Sequence, residues 1–250
     1  MILSEPNPTK FDVHFRVGKI PVRIHPMFWL LTLILGAVTA QGQPPAVMVT
    51  TILLWVAAVF ISILVHELGH ALTAKAYGYP PRIILHGMGG LAAFVPDRRL
   101  TRRAKILIDF MGPGAGFILG GVILAAILLT GHSVAIPGLP IEIGNGESFT
   151  AGGGRLELFV MFMLYVNIFW GLLNLAPILP LDGGHITQAV IQKYRPRDGL
   201  RLSIQVSIVF AGVVAVAALF AWNSLFMAML FGMLGFNNFQ LLQQLKAQGY

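Results

Sequence analysis

The chain has 250 residues, of which 56% are hydrophobic and only 11% are charged. Soluble domains carry about 25% charged residues, so the composition excludes an ordinary soluble enzyme and leaves room for one compact membrane domain. Because the chain contains no cysteine, a disulfide framework and a thiolate metal site are also excluded. The net charge of +7 is divided among separate loops, which makes a nucleic-acid surface a poor explanation for it.

The first residues predict a short N-terminal segment, 1–24, in front of the first membrane helix. Its opening stretch, 1–9, has the composition of a loose tail, and a strand-like run, FRVGKIPVRIH, follows it. The first apolar helix is predicted over 26–41. It contains Val-Thr-Ala near its end, which is similar to a signal-peptidase site, but the segment before it is long for a leader. We therefore expect this helix to be retained.

Apolar runs of about 20 residues mark membrane-spanning helices. Five runs of this kind follow the first, over about 47–76, 103–130, 156–176, 201–221 and 224–244. The predicted fold class is an all-α polytopic membrane protein with about six transmembrane helices, forming one domain over 25–245. In the third helix, Gly112, Gly116 and Gly120 are spaced four apart, which favours close helix packing.

The basic residues predict an orientation. Of the 17 lysines and arginines, only Arg155 lies in a segment that six helices place outside the cell. By the positive-inside rule, the N- and C-termini are then cytoplasmic, and the basic loops can meet anionic lipid headgroups. The glycine-rich loop 131–155, with Glu142 and Glu147, fits an outer position. It is too short for a peptide-binding domain, so we expect a lid or a plain connector.

The second helix ends in a metal-hydrolase motif. After an uncharged run from Val47, the sequence continues His66-Glu67-Leu68-Gly69-His70. Histidines four apart lie on the same side of a helix, so both imidazoles can bind one Zn²⁺, and Glu67 can act as the general base on a water molecule. The alternative is a structural polar cluster between helices. The apolar surroundings argue against that alternative, because buried ionisable groups are unfavourable without a partner.

A glycine-rich segment, 80–97, follows this helix on the same side of the membrane. It is too short for a span, and the apolar stretches on both sides of its central glycines predict a β-hairpin. Its apolar content indicates that the hairpin dips into the membrane. Strand edges are not tolerated in lipid, so the hairpin must be buried against protein or line a wet cavity.

A hydrolytic zinc site needs a third protein ligand and one open position. The intramembrane candidates are Asp109 in the third helix and Asp182 in NLAPILPLDGGH. Counting about 1.5 Å per residue, His66 and Asn174 both lie near the cytoplasmic edge of a bilayer core about 30 Å thick. The prolines and glycines of this stretch, Pro177, Pro180, Gly183 and Gly184, do not favour a regular helix. At this depth an unwound segment is tolerated only where it lines a cavity or is buried in protein, as a metal site needs. These arguments favour Asp182, whereas Asp109 is expected to pair with Arg102 or Lys105.

The role of Asn174 has two interpretations that the residues do not separate. Its amide can donate to a developing oxyanion. Equally, it can form an interhelical hydrogen bond that holds the unwound segment.

Three separated pieces of the chain resemble the site-2 proteases, the zinc intramembrane metalloproteases of peptidase family M50. His66 to His70 is similar to the family's HExxH motif, and Asn174 to Gly184 to its N-x-x-P-x-x-P-L-D-G-G motif. The run IPVRIHPMFWL resembles the usual entry into the first helix. The resemblance implies that His66, His70 and Asp182 bind one zinc ion per chain, and that Asn174 contacts the substrate or oxyanion.

It also implies that segment 80–97 is the re-entrant hairpin that holds an unwound substrate as an added strand. The chain resembles a minimal form of the family, without a PDZ-like module between the motifs or a CBS-like domain after the sixth helix. It also departs from the family at Gly116, where many relatives carry asparagine.

These patterns predict a protease that cleaves transmembrane proteins or peptides within or near their membrane segments. The expected location is the inner membrane of a bacterial or archaeal cell, with the active site near the cytoplasmic face and lipid as a further partner. Candidate substrates are membrane-tethered regulators and signal-peptide remnants. One rival is a zinc-binding scaffold without protease activity, which the retained Glu67 argues against. A metal transporter is a second rival, but it would need ionisable groups at several depths.

Overall fold

The computed structural model describes residues 5–87, 89–94, 100–150 and 152–247. Within these ranges, five helices are long and apolar enough to cross a membrane, and the small strands lie outside them. The helices are α2 (Pro45–Ala76), α3 (Arg102–Leu129), the continuous helical stretch Arg155–Asn174, α7 (Gly199–Phe220) and α8 (Leu225–Ala247). The prediction of a polytopic helical fold with a hairpin after the second helix is confirmed.

The first predicted span, 26–41, is shorter than expected. It forms α1 (Pro26–Thr39), whose 14 residues extend about 21 Å, less than the thickness of a bilayer core of about 30 Å. The ring of His25 accepts a hydrogen bond from the backbone N–H of Met27 and so caps the start of the helix. This helix packs on α2 through Gly36, where a Cβ would come within 3.0 Å of the Trp55 ring.

By its internal contacts, the chain forms two compact units. The first consists of residues 1–99 and 111–171, and the second of residues 100–110 and 172–250. Helix α3 therefore contributes its first turns to the second unit and the remainder to the first.

The first unit contains a four-stranded sheet beside its helices. The strands are β1 (Val13–Val17), β2 (Ile20–Ile24), β3 (Pro81–His86) and β4 (Gly89–Phe94), in the order β1-β2-β3-β4. The strand-like N-terminal run and the predicted hairpin both exist, and they join because β2 pairs in parallel with β3. Met88 and residues 95–97 of the predicted hairpin lie outside the described residues.

One face of this sheet packs on the helices. Alternate residues of β2 and β3, among them Val22 and Leu85, form a buried apolar cluster with Phe28 of α1 and with Trp55 and Val59 of α2. The period of two along each strand places these apolar side chains together, as expected for a half-buried sheet. Strand β3 of the hairpin is thereby mostly buried against the helices, whereas β4 is half-buried along its length.

The loop 131–155 was expected to be a lid or a connector, and it contains a small sheet. Its strands are β5 (His132–Ala135), β6 (Glu142–Ile143) and β7 (Glu147–Phe149), in the order β6-β5-β7. The strands are short, and β5 pairs in parallel with β7, a pairing between separated segments that a local pattern does not predict.

The predicted fourth span, 156–176, is interrupted by a change in helix type. It consists of α4 (Arg155–Leu164), a π-helical turn (Tyr165–Trp170) and α5 (Gly171–Asn174). Within the π turn, the buried Asn167 donates from Nδ2 to the carbonyl oxygen of Met163 and to Ser62 Oγ on α2, both at 2.8 Å. Such turns release backbone groups from the regular pattern, and side-chain amides compensate for this in an apolar surrounding.

The second unit holds the proline-broken segment between α5 and α6 (Asp182–Tyr194), a helix that the sequence did not predict separately. Both backbone groups of Leu179 are bonded there by side chains from other helices. Its N–H donates to Ser207 Oγ of α7 at 3.0 Å, and its carbonyl accepts from Asn238 Nδ2 of α8 at 2.6 Å. Two side chains thus replace the helical hydrogen bonds that the prolines remove.

We predict that Asn238→Leu destabilises the protein, because it leaves the buried carbonyl of Leu179 without a donor. The expected loss is about 1–3 kcal/mol, measured as a lower unfolding midpoint of the purified protein in detergent. The neighbouring Asn237 is the matched control, since its buried Nδ2 has no hydrogen-bond partner among the described residues. Asn237→Leu is expected to be neutral or stabilising, and an equal loss in both variants would contradict the assigned role of Asn238.

Candidate metal centre

The predicted motif forms a compact polar cluster on α2. Imidazole nitrogens of His66 and His70 and a carboxylate oxygen of Glu67 all lie within 4.8 Å of one another. Glu67 and His70 are buried, with 4% and 8% of their surface exposed. The spacing of four residues between the two histidines on one helix therefore brings their side chains together with that of Glu67, as expected.

The two imidazoles have the separation that a shared zinc ion requires. Their Nε2 atoms are 3.2 Å apart, and their rings meet edge-on with an interplanar angle of 78°. Two nitrogens bound at about 2.05 Å in tetrahedral geometry would be about 3.3 Å apart. The donor set of nitrogen and oxygen atoms is also one that zinc prefers. His66 and His70 hence fit a zinc ion.

Two glycines on α2 and α3 make room for this cluster. A Cβ at Gly112 would collide with the imidazole of His70, and a Cβ at Gly69 would collide with the carbonyl oxygen of Met111. The close approach of the two helices beside His70 depends on both glycines, as small residues permit in membrane proteins. The predicted packing role of the glycine stripe in α3 is thus realised at Gly112, directly against a candidate metal ligand.

Strand β4 lies as close to Glu67 as α3 lies to His70. A Cβ at Gly90 would overlap the carboxyl group of Glu67. This strand is the last one in the sheet order. At Gly90 its backbone lies beside the candidate general base. The sequence predicted the hairpin and did not predict that Gly90 lies against Glu67.

Asp182 and Asn174 meet in the second unit. Asn174 ends α5, Asp182 begins α6, and the amide of Asn174 donates to Asp182 Oδ2 at 2.6 Å. The two glycines after Asp182 are needed for this turn, because a Cβ at Gly183 or Gly184 would overlap the backbone of residues 175–179. Asn174 is therefore able to orient the Asp182 carboxylate, a role that differs from contact with an oxyanion.

Asp109, the other intramembrane aspartate, has a partner of its own. Lys105 donates to Asp109 Oδ2 at 3.1 Å, one turn away on α3. The predicted pairing with a nearby base is confirmed, with Lys105 as that base.

Three polar residues near these segments were not predicted from the sequence. They are Asn167, Ser207 and Asn238, all buried. The only available signal was a polar side chain in an otherwise apolar helix, and that signal does not name a partner.

The helices, the two motifs and the cluster on α2 define a multi-pass integral membrane protein with a candidate metal centre. The family model for peptidase family M50 matches residues 54–219, and the chain belongs to this family.

Curated relatives include zinc metalloproteases from two organisms. One, from Methanocaldococcus jannaschii, is 29% identical over 180 residues, which cover 72% of this chain and 45% of the relative. The putative zinc metalloprotease Rip3 of Mycobacterium tuberculosis is 27% identical over 197 residues, covering 76% of this chain and 45% of the relative. The chain thus spans about half the length of the curated relatives it matches.

A solved structure has the same fold. The site-2 protease from Methanocaldococcus jannaschii matches with a TM-score of 0.55 and 23% sequence identity, covering 92% of this chain and 94% of the other. This agreement supports the described arrangement of helices and sheet.

We predict that Gly112→Ala weakens zinc binding, because the added methyl group displaces the imidazole of His70. Small displacements of ligands cost about tenfold or more in metal affinity, measured as zinc retained against a competing chelator. Gly121→Ala is the matched control on the same helix, since a Cβ at Gly121 would meet nothing within 4 Å. Equal zinc retention in the two variants would contradict the assigned contact.

Proposed function

We propose that this protein is an intramembrane zinc metalloprotease that hydrolyses peptide bonds within or near transmembrane segments of its substrates. The observation that carries the proposal is the pair of imidazoles 3.2 Å apart beside a buried Glu67, on a helix long and apolar enough to cross a membrane. Membership of peptidase family M50 supports the same activity.

His66, His70 and Asp182 are the proposed ligands of one zinc ion per chain. Residues 174–184 resemble the second family motif, and this resemblance supports Asp182 as the third ligand. The hydrogen bond from Asn174 supports it further, because a neighbouring donor orients a carboxylate for metal binding. When bound, zinc supplies a Lewis acid for the scissile carbonyl and lowers the pKa of a water molecule.

Glu67 is the proposed general base. Its carboxylate accepts a proton from the attacking water and delivers it to the amine of the leaving peptide. Burial between α2 and β4 shields this proton from bulk water, so the transfer is confined to the site. Asn174 has two proposed roles, orienting Asp182 and donating to the developing oxyanion, and both are consistent with its amide group.

The substrate is proposed to bind as an added strand beside β4. A helical peptide bond is shielded by its own turn, so a transmembrane substrate must unwind before cleavage. An unwound segment has free backbone groups, and pairing with the last strand of a sheet satisfies them. The position of Gly90 against Glu67 supports this arrangement, because a strand paired with β4 would pass close to the general base.

Cytoplasmic N- and C-termini, and an active site near the cytoplasmic face, are proposed from the distribution of lysine and arginine. The proposed location is the inner membrane of a bacterial or archaeal cell. Membrane-tethered regulators and signal-peptide remnants are the proposed substrates.

We predict that Glu67→Gln abolishes cleavage of a transmembrane reporter peptide while the protein retains its zinc, because the amide cannot accept the proton. The measurement pairs reporter cleavage in vesicles with the zinc content of the same preparation. Continued cleavage by the variant would contradict the mechanism, and an inactive wild-type protein with bound zinc would favour a non-proteolytic scaffold.

We also predict that Asp182→Ala lowers zinc retention strongly, by about tenfold or more, because it removes a proposed ligand. The matched control is Asp109→Ala, which removes the other intramembrane aspartate and its ion pair with Lys105. Zinc competition with a chelator measures both variants. If Asp109→Ala loses as much zinc as Asp182→Ala, the assignment of the third ligand is wrong.

A further inference from the structure

The N-terminal strap, residues 5–12, lies against the polar face of the first sheet. The strand register places His14 opposite Arg23, and Arg23 opposite Ile84. Because side chains alternate along a strand, Arg82 shares this face with Ile84. The apolar cluster occupies the opposite face, so the sheet has a helix-packed side and a basic side.

A single carboxylate of the strap joins two arginines on this basic face. Glu5 contacts Arg23 Nη2 at 3.2 Å through Oε1 and Arg82 Nη2 at 2.6 Å through Oε2. The carbonyl oxygen of Pro6 accepts a further hydrogen bond from Arg23 at 2.9 Å. The two guanidinium groups therefore form a site that accommodates two oxygens of one anionic group.

This pair of arginines borders a pocket. His14 and the two arginines contribute its basic side, while Pro8, Pro21 and Ile84 contribute apolar surface. The side chain of Arg23 is only 10% exposed, so its position is fixed by the surrounding structure. A ligand that fits this lining has an anionic head with at least two oxygens and an apolar portion beside it.

The pocket lies at the membrane boundary by connectivity. Arg82 follows the end of the candidate membrane helix α2 at Ala76 by six residues, and β2, which carries Arg23, pairs with β3, which carries Arg82. Ends of membrane helices lie at the depth of the lipid headgroups, where phosphates of anionic lipids attract basic side chains.

Glu5 is a replaceable occupant of this site. Its side chain is 40% exposed and that of Arg82 is 49% exposed, and ion pairs between solvated side chains contribute little. Asp12 is a more permanent partner of Arg23, because its side chain is fully buried at 3.2 Å from the guanidinium group, whereas the side chain of Glu5 is 40% exposed. If Glu5 leaves, Arg23 remains paired and Arg82 becomes available.

We propose that this pocket binds the phosphate of an anionic phospholipid, in competition with the carboxylate of Glu5. The lipid phosphate takes the place of the Glu5 carboxylate between Arg23 and Arg82, and the start of the acyl region lies along the apolar lining. The strap is then released from Arg82, and binding is independent of the protease activity proposed above.

The test uses the purified chain in detergent and short-chain lipids as probes. Affinity is measured by calorimetric titration for short-chain phosphatidylglycerol, short-chain phosphatidylcholine and inorganic phosphate. The variants are Glu5→Gln, which removes the competing charge, and Arg82→Gln, which removes a proposed contact. Arg155→Gln is the control, since Arg155 is a basic residue at the start of another helix, α4. Unchanged zinc content verifies that each variant is folded.

The proposal predicts that the wild-type chain binds phosphatidylglycerol more tightly than phosphatidylcholine. Glu5→Gln is expected to raise the affinity for phosphatidylglycerol about fivefold, and Arg82→Gln to lower it about fivefold, with Arg155→Gln unchanged. Unaltered affinity in the Glu5 and Arg82 variants would overturn the proposal, as would an equal loss in the Arg155 variant. Binding of inorganic phosphate as tight as that of the lipid would show a free-anion site and overturn the lipid assignment.

Discussion

Glu67 and His70 are buried and His66 is half-buried on an apolar helix, where ionisable side chains are unfavourable unless they bind one another or a cation. The first unit is built around this constraint. Burial without a partner deprives such side chains of the hydrogen bonds that water would give them. A metal ion relieves the cost, and the 3.2 Å between the two Nε2 atoms suits one. The surrounding elements approach this cluster closely. Glycines at 69, 90 and 112 make this possible, each where a side chain would overlap the cluster or the helix beside it.

A second constraint concerns the backbone. Any non-helical segment at membrane depth must satisfy its N–H and carbonyl groups within the protein. In the four-stranded sheet, β3 does so by pairing with β2 on one side and with β4 on the other, and one face of the sheet packs on α1 and α2. The proline-broken segment does so through Ser207 and Asn238, which bond the two backbone groups of Leu179. Irregular backbone therefore occurs close to Asp182, the proposed third ligand, and remains held by neighbouring helices.

Sequence reasoning found the features that depend on local spacing. The fourfold separation of His66 and His70, the apolar length of α2 and the glycines within 80–97 each predicted a structure that is present. The pairing of Asp109 with Lys105 was predictable because the two residues are one helical turn apart. Features that depend on distant segments were missed. The contact of Gly90 with Glu67 and the hydrogen bond from Asn238 to Leu179 join residues far apart in the chain, and a single sequence carries no signal for them. The small sheet in 131–155 was missed because its strands are only two to four residues long.

The central claim is that the imidazoles of His66 and His70 and the carboxylate of Asp182 hold a single zinc ion within the membrane domain. X-ray absorption spectroscopy at the zinc edge of the purified protein tests this claim most directly. The account predicts one zinc per chain with two imidazole nitrogens at about 2.0–2.1 Å and light oxygen ligands completing the shell. It also predicts that the imidazole signal falls to one nitrogen in a His70→Ala variant. A protein that binds no zinc, or a zinc shell without imidazole nitrogens, would contradict the account.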